Sequence, residues 1–272
     1  MQEFLDYEEY KKHSSNKKKV KYAVITGGCG RIGSIFTSEL LSLGVKIICL
    51  SRSKKNFNDY SKELPKEISK NLLWHPLDLT KPKTIDKSLK FINKNFPKLD
   101  ILIINAAQSN RGKNFKYNAK SLGKELWGTF AGSFYLTEKI LPKMRKNNSA
   151  KIIVTGSLWG LMSPNFKTYL NMDIGPSPII ASGKAGIMQY VKLLASREAN
   201  KNITANALLP GWFPRKGKKQ RNDYIKSINS KIPLNRIGKL EDLIPAVKFL
   251  VSDKNTYMTG QFLIVDGGYS IW

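Results

Sequence analysis

A glycine-rich segment near the start of the chain has the composition of a phosphate-binding loop. Residues 26–33 read Thr-Gly-Gly-Cys-Gly-Arg-Ile-Gly, between an apolar run at 21–27 and a helical pattern at 31–44. Glycine lets the main chain turn sharply and approach a pyrophosphate, while a helix start offers free N–H groups and a favourable dipole. We expect this loop to bind a dinucleotide, although a purely structural turn would use the same glycines. The candidate contacts are Gly27, Cys29, Gly30, Arg31, Ile32 and Gly33.

The second apolar run ends in a basic segment that bears on which dinucleotide is bound. It ends at Ser51 and Arg52, and no carboxylate follows until Asp59. An acidic residue at this point of a nucleotide-binding fold binds the 2′-hydroxyl of NAD, whereas a basic residue accommodates the 2′-phosphate of NADP. We therefore expect NADP(H) to be favoured over NAD(H), with Arg52 and Arg31 near the phosphate. The alternative is that Arg52 is an ordinary surface cation.

The elements that must position these residues alternate along the chain. Short apolar runs typical of strands are separated by longer helical patterns, which predicts a parallel sheet covered on both faces. The sequence predicts a single α/β domain, a doubly wound Rossmann fold of about seven strands, over residues 21–272. A polar arm at 1–20 precedes it. Strands are expected at 21–27, 45–51, 72–78, 100–106, 150–157, 202–211 and 260–268, and helices at 31–44, 81–96, 121–147, 181–200 and 240–252.

The composition of the 272 residues excludes several classes of protein. Two cysteines rule out a disulfide scaffold, two histidines leave little for a metal site, and no apolar run approaches the length of a membrane span. We expect a cytoplasmic protein without a bound metal. The formal net charge of +26 suggests either a nucleic-acid partner or a solvated surface rich in lysine. Because most of the cations are lysines spread along the chain, we favour the solvated surface.

Further motifs follow the predicted strands in a fixed order, and together they resemble the short-chain dehydrogenase/reductase family over residues 20–272. They include Gly156-Ser157, Ala181-Ser182-Gly183-Lys184-Ala185, Asn206, Thr259-Gly260 and Val265-Asp266-Gly267-Gly268. The resemblance implies that the cofactor also contacts Asp78, Leu79, Asn105, Ala106, Ala107, Lys184, Pro210 and Gly211. It also implies a homodimer or homotetramer built on the helices at 121–145 and 181–200.

The chemistry implied by this resemblance is hydride transfer between nicotinamide and a carbonyl or alcohol. Ser157 would position the reacting oxygen and Lys184 would hold the nicotinamide ribose. The family's tyrosine would stand four residues before Lys184, where this chain has Ile180, and Thr129 stands where the family has an asparagine. Isoleucine cannot transfer a proton, so Tyr169, a water molecule or the substrate itself would have to supply it.

Predictions about the substrate rest on weaker sequence patterns than those about the cofactor. The insertion that carries Tyr169 is similar to one in dehydrogenases of flagellin modification and sugar pathways, which suggests a sugar-like substrate. A lid is expected around 212–235, where the basic cluster at 215–221 suggests an anionic substrate or a solvated face. Trp159 and Trp212 would give an aromatic wall, and Arg111 would border the pocket. Two other hypotheses stay open, a nucleotide-binding protein that has lost catalysis and a basic nucleic-acid-binding protein.

Overall fold

The computed structural model describes residues 20–108, 118–147, 149–166, 177–213 and 222–271, which form one α/β domain. Its strands are β1 Tyr22–Thr26, β2 Lys46–Ser51, β3 Leu72–Pro76, β4 Ile101–Ile104, β5 Ala150–Thr155, β6 Ile203–Pro210 and β7 Phe262–Val265. Its α-helices are α1 Gly33–Ser42, α2 Lys54–Lys62, α3 Lys66–Ser69, α4 Pro82–Asn95, α5 Ala119–Leu126, α6 Gly132–Met144, α7 Pro178–Glu198, α8 Asn222–Asn229 and α9 Ile244–Val251.

The seven strands form one parallel sheet in the order β3-β2-β1-β4-β5-β6-β7. Helices α4, α6 and α7 pack on one face, and α1 and α9 pack on the other. Such a double cover explains why central strands are continuously apolar: all four residues of β4 are buried. The predicted doubly wound Rossmann fold is confirmed.

The strand order reverses between β1 and β4, and this reversal locates the functional edge. The chain runs outward from β1 through β2 to β3, and then returns to place β4 on the other side of β1. Loops that leave the carboxyl ends of β1 and β4 therefore diverge and leave a crevice, where ligands of open α/β sheets bind. Both the glycine loop and the segment after β4 lie at this edge.

Local details differ from the sequence prediction at several helices. The helix expected at 181–200 begins earlier, at Pro178, because proline suits the first turn and its missing N–H costs nothing there. The helix expected across 121–147 contains a π-helical segment, Trp127–Ala131, that separates α5 from α6. Helices α2, α3 and α8 were not predicted. No helix among the described residues is long and apolar enough to cross a membrane.

Candidate active site

A cavity of about 770 Å³ opens at the carboxyl edge of the sheet. The loops after all seven strands contribute to it, together with α7 and α8. The predicted cofactor residues meet there although they are spread over 185 positions of the chain. Those that line the cavity are Gly27, Cys29, Gly30, Arg31, Ile32, Ser51, Arg52, Asp78, Leu79, Asn105, Ala106, Ala107, Lys184, Pro210 and Gly211.

The remaining predicted contact, Gly33, acts through packing because it lies at the first position of α1 and not among the lining residues. A Cβ at Gly33 would overlap the carbonyl oxygen of Gly27, so no other residue fits without moving the loop. Gly27 itself has φ +67°, a left-handed conformation that favours glycine. Its N–H donates to the Leu50 carbonyl on β2 at 2.7 Å, which ties the loop to the sheet.

Asn105 joins the glycine loop to the end of β5. Its side-chain amide donates to the carbonyl oxygens of Thr26 and Gly27, each at 3.2 Å, and its amide oxygen accepts from the Thr155 hydroxyl at 3.1 Å. The backbone N–H groups of Asn105 and Ala106 also donate to the Thr26 hydroxyl. This network fixes the relative positions of the three central strand ends before any ligand arrives.

Cations outnumber carboxylates around the cavity. Among the described lining residues Asp78 is the one carboxylate, whereas Arg31, Arg52 and Lys184 are cationic. Burial would raise the pKa of Asp78, but hydrogen bonds from the hydroxyl and N–H of Thr80 and the nearby positive charges lower it below its usual value. Asp78 is therefore ionised at neutral pH. The cavity still carries a positive formal charge, which suits a phosphate-bearing ligand.

The two predicted arginines are bonded to different segments of the chain. Arg52 follows β2 and donates to the side-chain oxygen of Gln108 at 3.2 Å. Arg31 donates to the backbone carbonyl of Phe213 at 2.8 Å and so links the glycine loop to the segment after β6. Next to Arg52, the Ser53 hydroxyl caps the first turn of α2 by accepting from the N–H of Asn56. Arg52 therefore lies beside a helix start that itself favours anions.

Lys184 is a buried cation directed at the end of β5. Its ammonium donates to the carbonyl oxygen of Thr155 at 2.5 Å, and only 8% of the residue is exposed. Burial disfavours the charged form and lowers the pKa of Lys184 from 10.5 to about 8. A lysine with this pKa is close to half-charged at mildly alkaline pH, so its charge responds to whatever ligand enters the cavity.

Ser157 and Ile180 border the cavity near Lys184. Ser157 lies two residues past β5, where its hydroxyl oxygen accepts a hydrogen bond from the N–H of Trp159 at 3.2 Å. Ile180 lies one turn before Lys184 on α7, and its side chain is buried. The position where the family resemblance calls for a phenol is therefore part of the cavity and apolar.

Thr129 lies inside the π-helical segment, where it is buried and does not itself line the cavity. Its hydroxyl donates to the backbone carbonyl of Gln108 at 2.7 Å. A Cβ on Gly183 of α7 would come within 2.9 Å of the Thr129 methyl group, so α7 packs tightly here. Thr129 therefore connects α7 to the segment that follows β4, through its methyl group on one side and its hydroxyl on the other.

Four aromatic side chains line one end of the cavity. Trp212 makes edge-on contacts with Trp159, Tyr224 and Tyr269, at ring-centroid distances of 6.0 to 6.3 Å. The turn after β7 presents Tyr269, because the Asp266 carboxylate accepts from the N–H groups of Gly268 and Ser270 on either side. We call these four rings the aromatic group.

Sequence reasoning identified only half of the aromatic group. Trp159 and Trp212 follow motifs of the cofactor site, so they were candidates. Tyr224 and Tyr269 lie on α8 and after β7, and no spacing rule connects them to the other two. The presence of Tyr269 directly after Asp266-Gly267-Gly268 was the one available signal, since that turn ends a strand at the functional edge.

Several residues predicted to contact the substrate belong to segments that the structure does not describe. Tyr169, Arg111 and the basic cluster at 215–221 lie outside the described residues, as does most of the arm at 1–20. Within the described ranges, no group of three or more His, Cys, Asp or Glu side chains is arranged to hold a metal ion.

Comparison with known proteins gives a consistent set of relatives. A family model described as enoyl-(acyl carrier protein) reductase matches residues 31–270. The 3-oxoacyl-[acyl-carrier-protein] reductase FabG of Buchnera aphidicola subsp. Baizongia pistaciae is 30% identical over 258 residues, which are 93% of this chain and 98% of that protein.

Solved structures agree with the sequence relatives. A short-chain dehydrogenase from Leptospira borgpetersenii serovar Hardjo-bovis with bound NAD+ is 27% identical, with a TM-score of 0.80 over 93% of each chain. The NADPH-dependent 3-quinuclidinone reductase of Rhodotorula rubra is 25% identical, with a TM-score of 0.80 over 93% of this chain and 92% of that one. The first of these structures holds NAD+ and the second protein is NADPH-dependent, so the family accommodates either dinucleotide.

Proposed function

The chain belongs to the short-chain dehydrogenase/reductase family of NAD(P)-dependent oxidoreductases, and from this premise we propose that it is an NADPH-dependent carbonyl reductase with an atypical active site. The observation that carries the proposal is the cavity that brings Ser157 and Lys184 together with the glycine loop. The same cavity has Ile180 where a phenol would complete the usual arrangement. The cofactor preference, the substrate class and the proton donor are parts of this proposal.

The residues present fit a dinucleotide with a 2′-phosphate. Gly27 and Gly30 line the cavity without side chains, which suits close approach of a pyrophosphate to the main chain, and Gly33 lets the helix pack against this loop. Arg52 and the start of α2 offer positive charge at the end of β2, and no described carboxylate lines the cavity there apart from Asp78 after β3. When bound, NADPH supplies the hydride.

The protein residues position the reacting groups and balance charge. The Ser157 hydroxyl donates a hydrogen bond to the substrate carbonyl oxygen, which gains negative charge as the hydride arrives. Lys184 donates to the nicotinamide ribose with an N–H that the Thr155 carbonyl does not use. Its buried positive charge also stabilises the developing oxyanion, because electrostatic interactions strengthen in an environment that excludes water.

The proton that completes reduction must come from a group other than residue 180. Tyr169 is the phenol that the sequence offers, and a water molecule or the substrate is the alternative. A Tyr169→Phe variant separates these sources. Loss of turnover by two orders of magnitude or more assigns the phenol, because general acid catalysis contributes roughly 10²- to 10⁴-fold. Unchanged turnover assigns water or substrate.

The aromatic group favours a substrate with a ring face. Rings that meet edge-on offer flat apolar surfaces with polar edges, and they suit a sugar-like or other cyclic carbonyl compound. The positive charge of the cavity favours an anionic substituent on it. A second candidate, a 3-oxoacyl thioester, is favoured by the FabG relatives, which match this chain over nearly its whole length.

The experiment is a turnover assay with purified protein and three classes of carbonyl compound. These are a keto sugar phosphate, an uncharged cyclic ketone and a 3-oxoacyl thioester, each with NADPH and with NADH. We expect NADPH consumption with at least one of them, and a fall of about 10²- to 10³-fold in Ser157→Ala. The matched control is Ser182→Ala on α7, whose exposed hydroxyl donates to the backbone carbonyls of Pro178 and Ile179 in its own helix.

Two results would contradict the proposal. Equal turnover of Ser157→Ala and wild type would remove Ser157 from the chemistry. Tight NADPH binding without turnover of any class would instead support the alternative of a nucleotide-binding protein that has lost catalysis. Preference for NADH over NADPH would reject the cofactor assignment alone.

We also propose that the protein forms a homodimer or homotetramer through α5, α6 and α7. These helices expose Leu122, Leu126, Phe134 and Leu193, each at 39% or more. Sedimentation or light scattering measures the assembly, and Leu193→Glu is expected to weaken it because a charge would be buried at the interface.

A further inference from the structure

The two cysteines of the chain lie next to each other, and one of them belongs to the cofactor loop. Cys29 in the glycine loop and Cys49 in β2 have their sulfur atoms 3.2 Å apart, and either sulfur can donate the hydrogen bond between them. Both are free thiols. Cys29 is half-buried and lines the cavity, whereas Cys49 is fully buried behind it.

The surroundings leave the pair little freedom to separate. The loop is tied to β2 by the hydrogen bond from Gly27 to Leu50, the residue after Cys49. Gly28 lies against the sulfur atom of Cys49, since a Cβ on Gly28 would come within 3.0 Å of the Cys49 Sγ. Contact between the two thiols is therefore built into the way the loop docks on the sheet.

The contact between the two sulfurs shifts their pKa values in opposite directions. The hydrogen bond from Cys29, with further hydrogen bonds from the N–H groups of Cys29 and Gly28 and the Ser51 hydroxyl, lowers the pKa of Cys49 although burial opposes this. The same contact and burial raise the pKa of Cys29. The thiolate is the reactive form of cysteine. Because a proton can move between the two sulfurs along their hydrogen bond, the thiolate can form at Cys29 as well as at Cys49.

We propose that Cys29 and Cys49 are a redox-sensitive dithiol site that a peroxide converts to a disulfide, and that this disulfide weakens cofactor binding. The effect on binding rests on the proposed NADPH site. The oxidant is a small hydroperoxide, because only Cys29 faces the cavity and the cavity is open when no cofactor fills it.

The reaction balances with one peroxide. Cys29 passes its proton to Cys49 along the S···S hydrogen bond, and the Cys29 thiolate then attacks the peroxide oxygen. An S–O bond forms, the O–O bond breaks and hydroxide leaves. The hydroxide takes the proton from Cys49, whose thiolate attacks the Cys29 sulfur, forms the S–S bond and expels a second hydroxide. Two sulfurs are oxidised by one electron each, and both peroxide oxygens are reduced to the level of water.

The disulfide changes the loop that cradles the pyrophosphate. The sulfurs must close from 3.2 Å to about 2.0 Å, and Cys49 is held in a central strand, so the loop residue makes most of the movement. Cys29 then moves toward β2 and away from the cavity. Loss of a single hydrogen bond to phosphate is enough to weaken NADPH binding roughly tenfold.

The test combines a chemical and a binding readout on the full-length protein. Reduced protein is treated with hydrogen peroxide at one equivalent, with and without saturating NADPH. We expect intact mass to fall by two hydrogens, peptide mapping to find Cys29 joined to Cys49, and the dissociation constant of NADPH to rise at least tenfold. Dithiothreitol should restore the original mass and the original dissociation constant. Bound NADPH should slow the oxidation because it covers Cys29.

A Cys49→Ala variant provides the matched control. It keeps the loop residue and lacks the second sulfur, so peroxide should leave its NADPH affinity within twofold of its own untreated value. Cys29→Ser should yield no cross-linked peptide. Native-like circular dichroism and thermal unfolding of each variant establish that it is folded.

Three outcomes would overturn the proposal. One is a sulfenic acid at Cys29 that persists without cross-linking, and another is a disulfide that leaves NADPH affinity unchanged. The third is a loss of NADPH affinity on peroxide treatment that is equally large in Cys49→Ala and in wild type. If reduced wild type fails to bind NADPH, the proposed cofactor is wrong, and the cross-linked peptide alone then decides whether the dithiol site exists.

Discussion

Replacement of Lys184 by methionine tests whether the cavity holds a desolvated cation. Lys184 is buried and has its pKa lowered from 10.5 to about 8. Between these two pH values the unfolded chain holds a proton that the folded protein releases, so protonation favours unfolding. The resulting penalty on folded-state stability is fully present below about pH 8, and it disappears as the pH rises to 10.5.

The magnitude follows from the same shift. A lowering from 10.5 to about 8 corresponds to a penalty of roughly 3 kcal/mol at neutral pH. Linkage then predicts that wild type gains about 1 kcal/mol from this residue alone between pH 7 and 9. Lys184→Met lacks the titrating group and does not gain it. The hydrogen bond from Lys184 to Thr155 is lost in the variant, and the part of its strength that depends on the charge of Lys184 is already contained in the shifted pKa.

Urea denaturation at pH 7 and pH 9 measures the effect. The free energy of unfolding is obtained for wild type, Lys184→Met and the control Lys192→Met, which removes an exposed lysine from the same helix. Between pH 7 and pH 9, the free energy of unfolding of wild type and of Lys192→Met should rise relative to that of Lys184→Met. If all three change in parallel, Lys184 is solvated or charge-compensated in solution, and its assignment as a desolvated cation is wrong.

Three further predictions concern the cofactor loop, the end of β2 and residue 180. Gly33→Ala should weaken NADPH binding tenfold or more in a fluorescence titration, because the added methyl group overlaps the Gly27 carbonyl. The control Gly123→Ala has nothing within 4 Å of its added Cβ and should bind NADPH normally. Arg52→Ala should raise the KM for NADPH about tenfold and leave that for NADH unchanged, and an equal effect on both would place Arg52 away from the 2′-phosphate. If Tyr169→Phe shows that water or the substrate is the proton donor, Ile180→Tyr should raise turnover roughly 10²- to 10⁴-fold by supplying a phenol one turn before Lys184. Ile180→Phe should not raise turnover, and equal turnover of the two variants would show that the added hydroxyl takes no part.

The fold was predictable because its signals are local and repeated. The run Ile101–Ile104 is apolar at every position, which requires a strand buried on both faces, and the glycine loop ends one strand and begins one helix. Element boundaries were less predictable. The π-helical segment Trp127–Ala131 is distinguished from an ordinary helix by its backbone hydrogen bonds, since the N–H of Gly132 donates to the carbonyl of Trp127 five residues before it, and residue types do not reveal that difference.

The candidate site was predictable where a motif follows a strand directly. Asp78, Asn105, Ser157 and Pro210 each lie at or just past the carboxyl end of a strand, so a parallel sheet brings them to one edge. Tyr269 and Tyr224 were missed because their contacts with Trp212 join distant parts of the chain. The direction in which Arg31 points was also unpredictable, since its partner is a backbone carbonyl that any residue at 213 would provide.

By itself, the amino-acid sequence determined the alternation of strands and helices, the glycine loop and the absence of a phenol at position 180. Those properties depend on residue type and on spacing over a few positions. The tertiary structure alone decided that Lys184 is desolvated, that four rings gather around Trp212, and that Cys29 meets Cys49. Each of these depends on which side chains and how much water surround a group, and that environment exists only after the strands have paired and the helices have packed.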